Sequence, residues 1–258
     1  MNRLKGKRVL ITGASAGIGE ACARHFAARG AHLLLSARRM ERLQALGDEL
    51  TGEHGVEVEA RALDVTDRDA VFDYVAELAE TGRVPDVLVN NAGKGRGLEK
   101  LHEGSTEHWD EMIDTNVKGL LYVTRAVLPH MVERDSGHVI HIGSIAGRWV
   151  YPRNAVYNST KFAVRALTEA MNIDLLGTRI RVSSVDPGLT ETEFSEVRFD
   201  GDQERADAVY ADTVPLTADD VADAVLYVAN TPEHVDVLNL VLMPTAQRYP
   251  GYMDRRGG

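Results

Sequence analysis

The sequence predicts an α/β fold in which a doubly wound parallel sheet carries helices on both faces. Three observations point to it. Short apolar runs alternate with helical patterns along the chain, as strand-helix-strand crossovers require. The first run passes through a glycine-rich turn directly into a helix. A chain of 258 residues, 44% of them hydrophobic, is also long and apolar enough for one large core. We therefore expect a single domain over residues 1–258, without repeats and without a long linker before a tail at 244–258.

The first run, Val9-Leu10-Ile11-Thr12, leads through Gly13-Ala14-Ser15-Ala16-Gly17-Ile18-Gly19 into a helical pattern over 21–29. Gly13 permits a tight turn off the strand, Gly17 removes a side chain where a pyrophosphate would approach, and Gly19 lets the helix lie close to the sheet. The helix N-terminus then faces the phosphates, so Gly13, Ser15, Gly17, Ile18 and Gly19 form the expected nucleotide cradle. The next strand, His32-Leu33-Leu34-Leu35-Ser36-Ala37, ends in Arg38-Arg39 with no acidic residue. A carboxylate there would bond a ribose 2′-hydroxyl, whereas a guanidinium grips a 2′-phosphate, so NADP is predicted over NAD. A third strand over 56–63 is followed by Asp64-Val65. Asp64 stands where ligands collect in such sheets; it is read either as an adenine contact, with Val65 beside it, or as a helix N-cap. A helix from Thr66-Asp67 to position 79 then leads to Val87-Leu88-Val89 and the run Asn90-Asn91-Ala92-Gly93.

The pattern Thr12-Gly13-x-x-x-Gly17-x-Gly19, followed by Asn90-Asn91-Ala92-Gly93, resembles the short-chain dehydrogenase/reductase family, a single-domain Rossmann fold, nearly end to end. The resemblance implies that Asn91, Ala92 and Gly93 steady the central sheet and line the cofactor cleft. The stretch 109–129 reads as one helix, apolar at Met112, Ile113, Val117, Leu120 and Leu121, with Asn116 inside it. Asparagine competes for backbone bonds and is a poor helix residue, and broken local rules mark functional positions. The resemblance makes Asn116 a catalytic asparagine that holds a relay water. A strand over 137–144 ends at Ser144; Tyr157 follows thirteen positions later and Lys161 four after that. Helical residues i and i+4 share a face, so phenol and ammonium can point into one cleft, where a cation favours the phenolate. As the resemblance implies, Ser144 binds the substrate oxygen, Tyr157 is the general acid/base, and Lys161 lowers its pKa and holds the nicotinamide ribose.

The Tyr157 helix continues to 176 with apolar residues on more than one stripe. The resemblance implies a homo-oligomer, a tetramer before a dimer. A strand over 179–185 runs into Asp186-Pro187-Gly188-Leu189-Thr190-Glu191-Thr192, similar to the family's Pro-Gly-x-x-x-Thr run. That implies contacts from Pro187, Gly188 and Thr192 to the carboxamide and phosphates; Asp186 departs from the commoner asparagine. The polar stretch 194–213, within 190–215, is the expected substrate lid, and a helix over 221–229 and a strand over 237–243 follow. Phe194-Ser195-Glu196-Val197-Arg198-Phe199, Gly201-Asp202 and Leu242-Met243-Pro244-Thr245 resemble one subgroup, the NADP-dependent 3-hydroxy acid dehydrogenases acting on serine, allo-threonine and similar short acids. Arg198 is the expected anchor for the substrate's carboxylate, with Arg148 and Arg153 as competing anchors.

Composition narrows the partners. A net charge of −10 disfavours nucleic acid or an anionic membrane as the main partner, and no segment has the length of a membrane span. Arg3, Lys5, Lys7 and Arg8 mimic the start of a signal peptide, but the apolar run behind them ends too early at the glycine turn. The single cysteine, Cys22, cannot form an intrachain disulfide; it reads as a small core residue in a protein of the reducing cytoplasm. No metal is expected, because His102 and His108 do not have the helical two-histidine spacing; the nine histidines read as surface or neighbouring groups. The expected function is an NADP(H)-dependent interconversion of alcohol and carbonyl on a small molecule. The alternatives are a reductase of another small aldehyde or ketone, sulfonated aldehydes included, and a catalytically silent NADP(H)-binding regulator.

Overall fold

Alternation along each strand decides the layering. The computed structural model describes residues 1–255. Its strands β1 (Arg8–Thr12), β2 (His32–Ala37), β3 (Val58–Ala62), β4 (Val87–Asn90), β5 (Gly137–Ile142), β6 (Ile180–Pro187) and β7 (Asn239–Leu242) pair in parallel in the order β3-β2-β1-β4-β5-β6-β7. Val9 and Ile11 point to one face and Leu10 to the other; Leu33 and Leu35 oppose Leu34 in the same way, and all are buried. Both faces are apolar because both are covered. Helices α1 (Gly17–Ala28) and α2 (Met40–His54) cover one face with Phe26 and Leu43, and α3 (Arg68–Glu80) covers the other with Val75. Each such leucine or phenylalanine contributes about 1.5–3 kcal/mol by leaving water. The strand order reverses between β1 and β4, so a crevice opens at their carboxyl ends.

Helix starts follow their caps. Asp67 accepts the Ala70 N–H at the start of α3, so Asp64 is not that helix's cap. The stretch read as one helix over 109–129 is instead α4 (Thr106–Ile113), a π-helical turn over Asp114–Gly119, and α5 (Leu120–Glu133). The wider turn shifts the helical phase, which buries Met112 and Leu120 but leaves Ile113 and Leu121 partly exposed. After β5 comes α6 (Ala155–Asp174), which carries Tyr157 and Lys161. The polar stretch 194–213 contains two short helices, α7 (Phe194–Arg198) and α8 (Gln203–Tyr210). A capping box between Thr217 and Asp220 starts α9 (Ala218–Ala229), which packs Val225 beside α1.

Two further expectations change. The segment read as a tail folds into an antiparallel hairpin, β8 (Gln247–Tyr249) and β9 (Tyr252–Met253), although 256–258 lie outside the described residues. His138 and His141 are neither surface nor cleft groups: they are buried in β5, bonded to Ser183 and Thr168. Burial pushes both imidazoles down, His141 to about 4. Among the described residues no helix is long and apolar enough to cross a membrane.

Candidate active site

The crevice beyond β1 and β4 is a cleft of about 920 Å³. Its rim is built by hydrogen bonds that clip the end of β4 to the glycine turn. Thr12 Oγ1 accepts the N–H groups of Asn91 (3.1 Å) and Ala92 (3.0 Å), and the Asn91 amide donates to the carbonyls of Thr12 (2.9 Å) and Gly13 (3.2 Å). Gly13 takes a left-handed φ of 67° that a side chain would resist. A Cβ on Gly19 would lie 2.4 Å from the Gly13 carbonyl oxygen and 2.5 Å from Asn91 Nδ2, so α1 rests on the turn itself. Among the described residues no side chain caps α1 or accepts from its first-turn N–H groups, and Ala16, Gly17 and Ile18 line the cleft. An anion fits there.

Arg38, Arg39, Asp64 and Val65 line one end of the cleft with Ser15. Burial works against the Asp64 carboxylate, but bonds from the Thr66 N–H and hydroxyl and the nearby Arg38 hold its pKa below the usual range. Arg39 donates to Ser15 Oγ (3.2 Å) and to Glu193 (2.8 Å), which also accepts from Arg42 (2.7 Å). Gly93, Pro187, Gly188 and Thr192 line the middle, and a Cβ on Gly17 would meet Thr192 at 3.3 Å.

Ser144, Tyr157 and Lys161 meet at the other end. Burial pushes the Tyr157 phenol up, whereas the Arg198 guanidinium and a hydrogen bond with Ser144 pull it down. Arg198 is thus a cation acting on the phenol as well as a candidate anchor. Lys161 donates to the Ile142 carbonyl (2.8 Å), and its Nζ lies 5.9 Å from the Tyr157 ring centre. Burial pushes this ammonium down to about 8, opposed by the Asp186 carboxylate. Asn116 does not line the cleft. It stands behind Gly93 in the π-turn: its Oδ1 accepts the Lys94 N–H (2.8 Å) and its amide donates to the Lys94 carbonyl (2.8 Å) and Thr160 Oγ1 (3.1 Å).

The three candidate anchors separate. Arg148 is turned away from the cleft, because the buried Asp186 needs a counter-charge: Arg148 Nε bonds Asp186 at 2.7 Å, and its guanidinium also bonds Asn239. Arg148 is therefore not a substrate anchor. Arg153 lines the cleft from a left-handed position, φ 60°. Arg198 is only 9% exposed, stacks 5.2 Å over Tyr157 and 5.0 Å over Phe194, and its Nε has no hydrogen-bond partner among the described residues. One wall lies beyond the sequence expectations. Gln247 Oε1 accepts the Leu189 N–H (2.9 Å) beneath Gly188, and Pro250, Gly251 and Met253 line the cleft beside it. Pro250-Gly251 between Tyr249 and Tyr252 is the turn signal that could have found it.

Comparison with known proteins bears on the chain as a whole. The family model described as short chain dehydrogenase matches residues 7–203. The NADP-dependent 3-hydroxy acid dehydrogenase YdfG of Salmonella typhi is 49% identical over 244 residues, 94% of this chain and 97% of that protein. Sulfoacetaldehyde reductase 2 of Chromohalobacter salexigens is 45% identical over 245 residues, 95% of this chain and 96% of that protein. Among solved structures, the closed form of serine dehydrogenase complexed with NADP+ superposes with a TM-score of 0.89 at 47% identity, covering 94% of this chain and 96% of that one.

Proposed function

Because the chain belongs to the short-chain dehydrogenase family, we propose that it uses NADP(H) to interconvert an alcohol and its carbonyl, with short 3-hydroxy acids such as serine or allo-threonine as substrates. The observation that carries this reading is the meeting of Ser144, Tyr157, Lys161 and Arg198 at the end of a cleft that begins at an uncapped helix start. The residues present fit the cofactor. The turn from Gly13 through Ser15, Gly17 and Ile18 would hold the phosphates, Arg38 and Arg39 the 2′-phosphate, and Asp64 and Val65 the adenine. Asn91, Ala92 and Gly93 would line the ring's approach, Pro187, Gly188 and Thr192 would meet the carboxamide and phosphates, and Tyr157 and Lys161 the ribose.

Bound NADP(H) supplies or accepts the hydride. In reduction, Ser144 and Tyr157 hydrogen-bond the carbonyl oxygen, and the phenol gives its proton to that oxygen as negative charge builds there. In oxidation, the phenolate takes the hydroxyl proton, and the cations Lys161 and Arg198 stabilise it. Asn116 spends its amide on Lys94 and Thr160, so we assign the relay water to its main-chain carbonyl in the π-turn. Arg198 anchors the substrate's acidic group, and the 190–215 segment acts as the lid that carries it. A second reading shares this site: a guanidinium binds sulfonate oxygens as it binds carboxylate, and the likeness to sulfoacetaldehyde reductases favours small sulfonated aldehydes as further substrates. Ile173 and Leu176 stay exposed at the end of α6; we assign that face to a second copy in a homo-oligomer, testable by light scattering.

The test follows NADPH absorbance across short hydroxy acids, sulfonated aldehydes and uncharged alcohols, with wild type and Tyr157→Phe. Tyr157→Phe should keep NADPH binding and lose about 10²–10⁴-fold in turnover. Near-normal turnover in that variant would defeat the acid-base assignment, and NADPH binding without turnover of any substrate by wild type would leave the silent regulator.

A further inference from the structure

We propose that Arg96 is a positioning residue that holds the Arg198 guanidinium over Tyr157 and thereby sets the preference for acidic substrates. The proposal rests on Arg198 being the carboxylate anchor. Few polar partners fix Arg198: a hydrogen bond with Tyr151 and two flanking rings hold its tip, and its Nε is unpaired among the described residues. Its place is set by its backbone. Yet α7 has five residues, too few to be stable alone.

The residues 94–97 supply what α7 lacks. Arg96 Nη1 donates to the Val197 carbonyl at 2.8 Å and to Asp200 Oδ1 at 2.5 Å, and its Nε donates to Glu111 of α4 at 2.9 Å. The Gly97 N–H donates to the carbonyl of Arg198 itself at 3.0 Å. A cation on the last carbonyls of a helix is the favourable placement; Arg96 is only 20% exposed, whereas its partner Asp200 is 59% exposed, so the Glu111 and main-chain bonds carry more of the hold than the Asp200 pair. At the other end of the segment, Lys94 shares Glu111 (3.2 Å) and its main chain is bonded on both sides by Asn116. Between them lies Gly95, where a Cβ would sit 2.7 Å from Arg198 Nη2 and 2.9 Å from Phe194 Cζ. The guanidinium thus packs on bare backbone. An isolated surface ion pair would contribute almost nothing. Here one guanidinium joins a helix end, a loop carboxylate and α4, two residues from Lys94, whose main chain Asn116 holds.

The test is steady-state kinetics of the full chain with NADP on 3-hydroxybutanoate and on 4-methyl-2-pentanol, which matches its branching and heavy-atom count without the charge. Arg198→Met should lower kcat/KM for the acid by roughly 30-fold or more, and for the alcohol much less. Arg96→Gln should raise KM for the acid about 5- to 50-fold, change the alcohol less than about twofold, and add nothing in the Arg198→Met background. Arg96→Lys should recover part of the loss. Gly95→Ala, whose Cβ would press on the Arg198 guanidinium directly, should give an acid-selective loss of its own; Arg96→Lys, with its partial loss confined to the acid, carries the test if Arg96→Gln does not fold. Equal losses on both substrates, or losses that multiply in the double variant, would make Arg96 merely structural and overturn the proposal. If Arg198→Met itself shows no preference for the acid, the anchor reading fails and the proposal falls with it, a pattern distinct from a selective Arg198→Met beside a silent Arg96→Gln.

Discussion

Gly19→Ala sets two rules against each other. Alanine is more favourable than glycine inside a helix by about 1 kcal/mol, so propensity alone predicts stabilisation. The structure predicts the opposite. The new Cβ would lie 2.4 Å from the Gly13 carbonyl oxygen and 2.5 Å from Asn91 Nδ2, and neither is the loose end of a flexible chain: one is backbone, and the other is bonded to Thr12 and Gly13. Overpacking of this kind costs about 1–3 kcal/mol, and losing one Asn91 bond adds about 1 kcal/mol. Set against the helix gain, the net is a loss of about 1–3 kcal/mol, or roughly 2–12 °C in melting temperature for a chain of this size. Gly52 is the internal control. It lies in α2, and a Cβ added there would meet nothing within 4 Å, so Gly52→Ala should stabilise by about 0.5–1 kcal/mol. Thermal unfolding of both apo variants by circular dichroism, followed by NADPH titration of Gly19→Ala, decides the matter. The reasoning fails if Gly19→Ala stabilises as Gly52→Ala does and binds NADPH normally.

Arg38→Asp should weaken NADP far more than NAD, because a carboxylate would repel the 2′-phosphate and can bond a 2′-hydroxyl; dissociation constants for both cofactors check this, and equal losses would place Arg38 elsewhere. For His141, the folded state holds a neutral imidazole down to about pH 4, while the unfolded chain takes up the proton near 6.5. The unfolded state therefore binds the extra proton between these values, so this stability is fully present above pH 6.5 and is lost as pH falls, by about 3 kcal/mol near pH 4. Urea unfolding at pH 7 and 4.5 should show the loss, and His141→Gln should make it smaller; an unchanged difference would remove His141 as the cause.

What is legible in the sequence is whatever local chemistry dictates. The Gly13 turn, the Arg38 strand end and the spacing of Ser144, Tyr157 and Lys161 each follow from neighbours close in the chain, and the sheet order follows from the crossovers they terminate. The π-turn around Asn116 is hidden because it adds a residue to a turn without changing the composition of the helix around it. Arg148 passes for a substrate anchor because its partner, Asp186, is buried on another strand, and only tertiary structure shows that this carboxylate needs a counter-charge. Gln247 escapes notice for the same reason: its amide has meaning only where it meets the Leu189 N–H.

The hairpin of β8 and β9 has a temporal consequence. The glycine turn is synthesised well over 200 residues before Gln247 and Met253, which wall the same cleft. The parallel pairing of β6 with β7 must also wait for late sequence. The complete cleft therefore exists only once synthesis has passed residue 253. Arg255, just behind the hairpin, then ties this late wall to the 194–213 stretch through the Ala211 carbonyl.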